Sequence, residues 1–156
     1  MPRRRRIHVP GGFYHVILRG NNRAPIFRQT EDRASWEALL SSGLKQYECS
    51  LHSYCWMTNH VHLAIQINEV PLGRLIRWLC TQYARWFNKK YERTGHLFER
   101  RHRAMYVLSE EYMTTLVRYI HRNPLEGKLV RDPIDYEWSS HRDYICGSRH
   151  TWLTTD

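Results

Sequence analysis

Met57-Thr58-Asn59-His60-Val61-His62-Leu63-Ala64-Ile65-Gln66-Ile67 is the stretch on which the reading of this chain turns. From Val61 onward the apolar residues alternate (Val61, Leu63, Ile65, Ile67), which is the period of a half-buried β-strand. His60 and His62 fall in the opposite register, so both imidazoles leave the same face of the sheet. Two nitrogen ligands two residues apart on a rigid strand can grip one divalent cation. They leave coordination positions open for a phosphate oxygen and water, as a catalytic ion requires. A His-x-His pair is weak by itself in a chain with 10 histidines. Its place at a strand end, beside a tight connection, strengthens it.

Working outward, Ser50 to Trp56 reads as a strand joined to the histidine strand through Met57-Thr58-Asn59, which predicts a hairpin. Phe13 to Leu18 reads as an earlier strand, closed by Gly20-Asn21-Asn22. Thr30 or Glu31 opens a helix to about Tyr47, with Trp36, Leu39, Leu40 and Leu44 on one side. Pro71-Leu72 opens a long helix ending near Lys90 or Tyr91, with Leu75, Ile76, Leu79, Tyr83, Trp86 and Phe87 as its apolar side. Residues 93–103 form a basic loop in which Gly95 and His96 allow close approach to a backbone, and Ala104 to Leu108 a last strand. Ser109-Glu110-Glu111 caps a helix from Tyr112 to about Arg122, stopped by Asn123-Pro124. The order β-α-β-β-α-β-α is a split βαβ arrangement plus one helix. It predicts an α+β fold: a ferredoxin-like antiparallel sheet with helices packed on it, as one domain over residues 1–156.

The charge balance is one-sided, with 24 Lys and Arg against 15 Asp and Glu, a net +9. Such a chain favours a polyanion, nucleic acid before membrane. Aromatic residues make up 13%; most belong in the core, but the remainder suit the stacking of single-stranded bases. Residues 1–10 read as a basic arm carrying Arg3, Arg4, Arg5 and Arg6, either a solvated tail or a phosphate-contacting arm. Cys49, Cys55, Cys80 and Cys146 form no CxxC pair and read as reduced thiols. No apolar run approaches the length of about 18 residues needed to span a bilayer, and the basic N-terminus is no secretory signal. The expectation is a cytoplasmic, nucleoid-associated protein with no membrane partner. Phosphate-binding Gly loops and a nucleophile elbow are both missing, which removes support for nucleotide-triphosphate use and acyl transfer.

Tyr119 is the second chemical candidate, within Leu116-Val117-Arg118-Tyr119-Ile120-His121-Arg122-Asn123-Pro124. An aromatic inside a helix is usually core. Here Arg118 and Arg122 flank it, and Asn123 lies one turn on along the same face. A phenol is a poor nucleophile until activated by a cation or by a base acting through water; Asn123 could add a third ligand through its side-chain oxygen. Tyr83 is a rival tyrosine whose spacing places it in the core. Arg85, Lys89, Lys90, Arg93, Arg100, Arg101 and Arg103 lie close together in sequence and are read as a phosphate track.

The chain resembles the IS200-like tyrosine transposases of the single-tyrosine HUH nuclease superfamily, and within them the REP-associated branch. The carriers are Pro10-Gly11-Gly12-Phe13-Tyr14-His15-Val16, Arg19-Gly20-Asn21-Asn22, Met57 to Leu63, Tyr83-Ala84-Arg85-Trp86-Phe87-Asn88, Gly95-His96-Leu97-Phe98, Arg118 to Pro124 and Trp138-Ser139-Ser140. Their order and spacing together are highly specific. The resemblance implies metal ligation of Mg²⁺ or Mn²⁺ by His60 and His62 with Asn123 assisting, and Tyr119 as nucleophile. It implies cleavage and rejoining of single-stranded DNA at REP-like hairpins through a 5′-phosphotyrosine. The chain departs from the family at Thr58, where proline is common, and at Arg122, where an apolar residue is common. Homodimer and monomer both stay open, as does whether Tyr119 serves its own histidine pair or a neighbour's. Two rival readings are a non-catalytic single-stranded DNA or RNA binder and a replication-initiator-type HUH nickase.

Overall fold

The computed structural model describes residues 8–155; Arg3, Arg4, Arg5 and Arg6 of the basic arm lie outside them. β1 (Phe13–Arg19), β2 (Ser50–Trp56), β3 (His60–Gln66) and β4 (Arg103–Tyr106) form one sheet in the order β2-β3-β1-β4. Every neighbouring pair is antiparallel. α1 (Thr30–Gln46) links β1 to β2, and α2 (Leu72–Lys90) links β3 to β4. Each crossover skips one strand, which is the split βαβ topology the sequence predicts.

Alternation along the strands sorts the side chains into two layers. Val16, Leu18, Leu51, Tyr54, Trp56, Val61, Leu63 and Ile65 form one core with Trp36, Leu40 and Leu44 of α1 and Leu75, Leu79, Tyr83 and Phe87 of α2. α1 opens with a capping box in which Gln29 and Asp32 satisfy each other's backbone N–H groups. Tyr83 is fully buried and donates its hydroxyl hydrogen to the Ile26 carbonyl, so the rival tyrosine is sealed in the core.

The other face carries α3 (Glu110–Glu126). Its Leu116 and Ile120 pack on Cys55 of β2, Ala64 of β3 and Val107. This second layer explains why β3 is buried along both faces rather than half-buried as its alternation suggested. α3 is capped by Ser109, whose side chain accepts from the Tyr112 N–H. It does not stop at Asn123. Pro124 lies inside the last turn, where a missing N–H costs one ladder bond, and the Gly127 and Leu129 N–H groups bond the Asn123 and Pro124 carbonyls beyond it. β4 is also shorter than expected, because Leu108 leaves the sheet and stands 86% exposed.

The C-terminal part, which the sequence left largely unassigned, closes the β2 edge. Trp56 N–H bonds the Trp138 carbonyl, Ser140 N–H bonds the Tyr54 carbonyl, and a short helix α4 (His141–Cys146) follows. Buried Ser53, Ser140 and His121 share hydrogen bonds of 2.7 to 3.2 Å, which tie α3 to β2 and to this segment. All four cysteines are free thiols. Among the described residues no helix is long and apolar enough to cross a membrane.

Candidate active site

The register of β1 against β3 builds the floor of the site. His60 lies opposite Arg19, His62 opposite Ile17 and Ala64 opposite His15. Partners across a ladder share a face, so His15, Ile17 and Arg19 join the histidine pair. β4 extends the same face, with Arg103 opposite Ile17 and Met105 opposite His15. α3 covers Ala64 and Cys55 and reaches over His15 of β1 with Tyr119, while Arg103 and Met105 of β4 stay exposed beside it.

The rings converge. His60 and His62 have centroids 5.1 Å apart. The ring of Tyr119 meets His62 at 5.7 Å and His15 at 5.9 Å, edge-on to both. Tyr119 nevertheless stays 44% exposed, so its hydroxyl is reachable from solvent. The Asn123 side chain lies next to His60, where it favours the protonated ring. Arg118 and Arg122 flank Tyr119 on the exposed side of α3; with Arg122 in solvent, its departure from the family pattern leaves the packing of the helix intact. Thr58 needs no proline to hold its turn, because its carbonyl accepts from the Ile26 and Phe27 N–H groups.

The electrostatics favour neutral rings. Burial pushes His62 down to about 3, helped by the neighbouring His60, His15 and Arg19. Burial pushes His15 down to about 4. His60 is lowered by burial and by Arg19 against the raising effect of Asn123. A neutral imidazole keeps a lone pair and can ligate. Each ring of the pair is also held from behind: His60 Nδ1 lies 2.7 Å from Asn59 Oδ1, and His62 Nδ1 lies 3.0 Å from His15 Nε2. The second nitrogen of each ring is thereby left for another partner.

No group of three or more His, Cys, Asp or Glu side chains among the described residues is arranged to hold a metal. An ion at this site would rest on two imidazoles and the Asn123 amide. That donor set fits a weakly held catalytic cation whose coordination is completed by substrate and water, and does not fit a closed structural site.

The predicted basic track divides. Arg103 shares the site face, and Arg100 and Arg101 are exposed in the loop that docks on the end of β1 through Glu99 N–H to the Arg19 carbonyl. Arg85, Lys89, Lys90 and Arg93 belong to α2 and its C-terminal turn, in the layer on the opposite face of the sheet. Lys90 is paired at 2.7 Å with buried Asp32, and Arg93 bonds Asn88 and covers the Phe87 ring. The sequence reading missed His15, Arg19 and Asn59. The signal for His15 was present in its register opposite Tyr14, Val16 and Leu18; the pairing that brings it to His62 was not.

A family model for IS200-like transposases matches residues 8–123. No curated protein matches the chain. Among solved structures, a REP-associated tyrosine transposase bound to a REP hairpin superposes with a TM-score of 0.80 at 13% identity, covering 97% of this chain and 96% of its own. A candidate transposase of Deinococcus radiodurans R1 superposes with a TM-score of 0.54 at 18% identity, covering 78% of this chain and 97% of its own. At these identities both likenesses speak to the fold. With the family model spanning β1 through the Tyr119 helix, this chain belongs to the IS200-like transposase family.

Proposed function

We propose that this transposase cleaves and rejoins single-stranded DNA with Tyr119 as its nucleophile. The observation that carries the reading is the contact of a half-exposed Tyr119 ring with His62 and His15 on an open, arginine-bearing sheet face. A structural tyrosine would be buried, as Tyr83 is.

The Tyr119 oxygen attacks the scissile phosphorus and gives up its proton to solvent. The bond from phosphorus to the 3′ oxygen breaks, and that oxygen leaves as a free 3′-hydroxyl after taking up a proton. The 5′ phosphate remains on Tyr119. Attack by a second 3′-hydroxyl reverses the step and transfers the strand, with the phosphodiester energy conserved and no ATP needed. Bound at His60, His62 and Asn123, Mg²⁺ or Mn²⁺ would supply Lewis acidity to the scissile phosphate and to charge on the leaving oxygen. Arg103, Arg118 and Arg122 stand where they can contact phosphates along the strand.

A hairpin substrate is supported by the solved relative, which is bound to a REP hairpin. Tyr119 reaches the histidine pair of its own chain, so one protomer suffices for cleavage. A protein that acts on chromosomal DNA in this way would work in the cytoplasm, at the nucleoid.

The test is cleavage of end-labelled single-stranded hairpin DNA with Mn²⁺ by wild type, Tyr119→Phe and His60→Ala. A denaturation-resistant protein–DNA adduct formed by wild type and lost in both variants supports the reading. Hairpin binding with no adduct in wild type favours a non-catalytic binder.

A further inference from the structure

The partners behind the histidine pair decide which nitrogen of each ring carries hydrogen. Asn59 Nδ2 donates to the Arg23 backbone carbonyl at 3.3 Å. A carbonyl only accepts, so this bond fixes which end of the amide is nitrogen. Asn59 Oδ1 therefore faces His60 Nδ1 at 2.7 Å. An amide oxygen also only accepts, so His60 Nδ1 must bear the hydrogen. In the neutral ring, Nε2 is then a bare lone pair.

His62 poses the same question with a different partner. Its Nδ1 lies 3.0 Å from His15 Nε2, a distance that needs one hydrogen between the two nitrogens. If His15 donated, His62 would carry its own hydrogen on Nε2, where a cation needs a lone pair. If His15 accepts, His62 matches His60, and both rings offer Nε2. His15 is 4% exposed and lies nearly parallel to His62, with an interplanar angle of 22°. Burial and this stacking hold its Nε2 against His62 Nδ1.

We propose that Asn59 and His15 are positioning residues that hold His60 and His62 in the Nδ1–H tautomer, so that each ring keeps its lone pair on Nε2 before any cation arrives. This rests on the proposed function for its purpose, though the Asn59 half follows from hydrogen bonding alone. A ligating imidazole is typically oriented by such a partner, and losing the partner weakens metal binding about 10- to 100-fold.

The test begins with the metal-free, full-length, ¹⁵N-labelled wild type at neutral pH. Long-range ¹H–¹⁵N correlation spectra read the tautomer of each assigned ring. The expected result is Nδ1–H for both His60 and His62; Nε2–H on either ring overturns the proposal for that ring. Mn²⁺ titration followed by EPR then compares wild type with His15→Phe and Asn59→Ala. Each variant should bind Mn²⁺ about 10- to 100-fold more weakly. Variants that bind Mn²⁺ as wild type does contradict the positioning role. A wild type that binds no Mn²⁺ while showing both Nδ1–H tautomers sinks the metal part of the proposed function, and with it the purpose assigned here.

Discussion

Tyr119 and His62 meet ring to ring at 5.7 Å within a single chain, across the junction of α3 and β3. The junction is held by Leu116 and Ile120 on Ala64 and Cys55, and by the buried His121, Ser53 and Ser140 network. Tyr119 and the histidine pair are thus brought together within one chain. Mixing Tyr119→Phe with His60→Ala protein should therefore yield no DNA adduct, because neither chain has a complete site. Recovery of adduct in the mixture, measured on a denaturing gel, would show that helices are exchanged between chains.

The two groups of basic residues should behave differently towards DNA. Arg103 lies on the face of His62 and Ile17, whereas Lys89 lies on α2 in the opposite layer. Arg103→Ala should weaken single-stranded DNA binding and reduce the slope of log K against log salt by about 1, whereas Lys89→Ala should leave both unchanged. Fluorescence anisotropy across a salt series reads this directly. An equal effect of both variants would contradict the assigned face.

Asp32 is the expected source of acid sensitivity. Burial alone would raise its pKa, but Lys90, the Tyr91 hydroxyl and the Arg28 and Gln29 N–H groups outweigh burial and hold it below the ordinary aspartate value. Because the folded pKa lies below the unfolded one, the stabilisation is complete above pH of about 4 and is lost as pH falls through the folded value. Wild type should lose stability in that acid window, while Asp32→Asn, destabilised by about 1–3 kcal/mol at neutral pH, should show a flatter profile there. Urea melts between neutral pH and pH of about 3 test this.

Gly20 is irreplaceable for reasons of space. A Cβ there would lie 2.0 Å from the Ala24 carbonyl oxygen. Its N–H also bonds the Asn59 carbonyl at 2.8 Å, beside the histidine pair. Gly20→Ala should cost about 1–3 kcal/mol by overpacking and lower the cleavage rate even at temperatures where the variant is folded. Chemical denaturation and adduct kinetics on the same preparation separate the two effects.

Much of this architecture could be read along the chain. Alternation at Val61, Leu63 and Ile65 marked the central strand, and Ser109 marked the start of the Tyr119 helix. Those signals are local, set by side-chain period and capping chemistry. What escaped was set by pairing at a distance. Nothing in the period of β1 places His15 beside His62; that depends on strand register. Arg85 and Lys89 looked like neighbours of Arg103 because they are near it in sequence, yet the sheet lies between their layers. Pro124 looked like a helix stop because its cost was weighed without the backbone bonds that continue past it. Tyr119 was legible as a candidate through its polar neighbours, whereas its contact with His62 required the fold.

The most direct test of the central claim is peptide mapping of the covalent adduct. Wild type is reacted with a single-stranded hairpin and Mn²⁺, digested with nuclease and trypsin, and the nucleotide-bearing peptide is sequenced by mass spectrometry. The account predicts the nucleotide on the peptide containing Tyr119, joined through a 5′ phosphate. A nucleotide on Tyr83, Tyr112 or any other residue would contradict it.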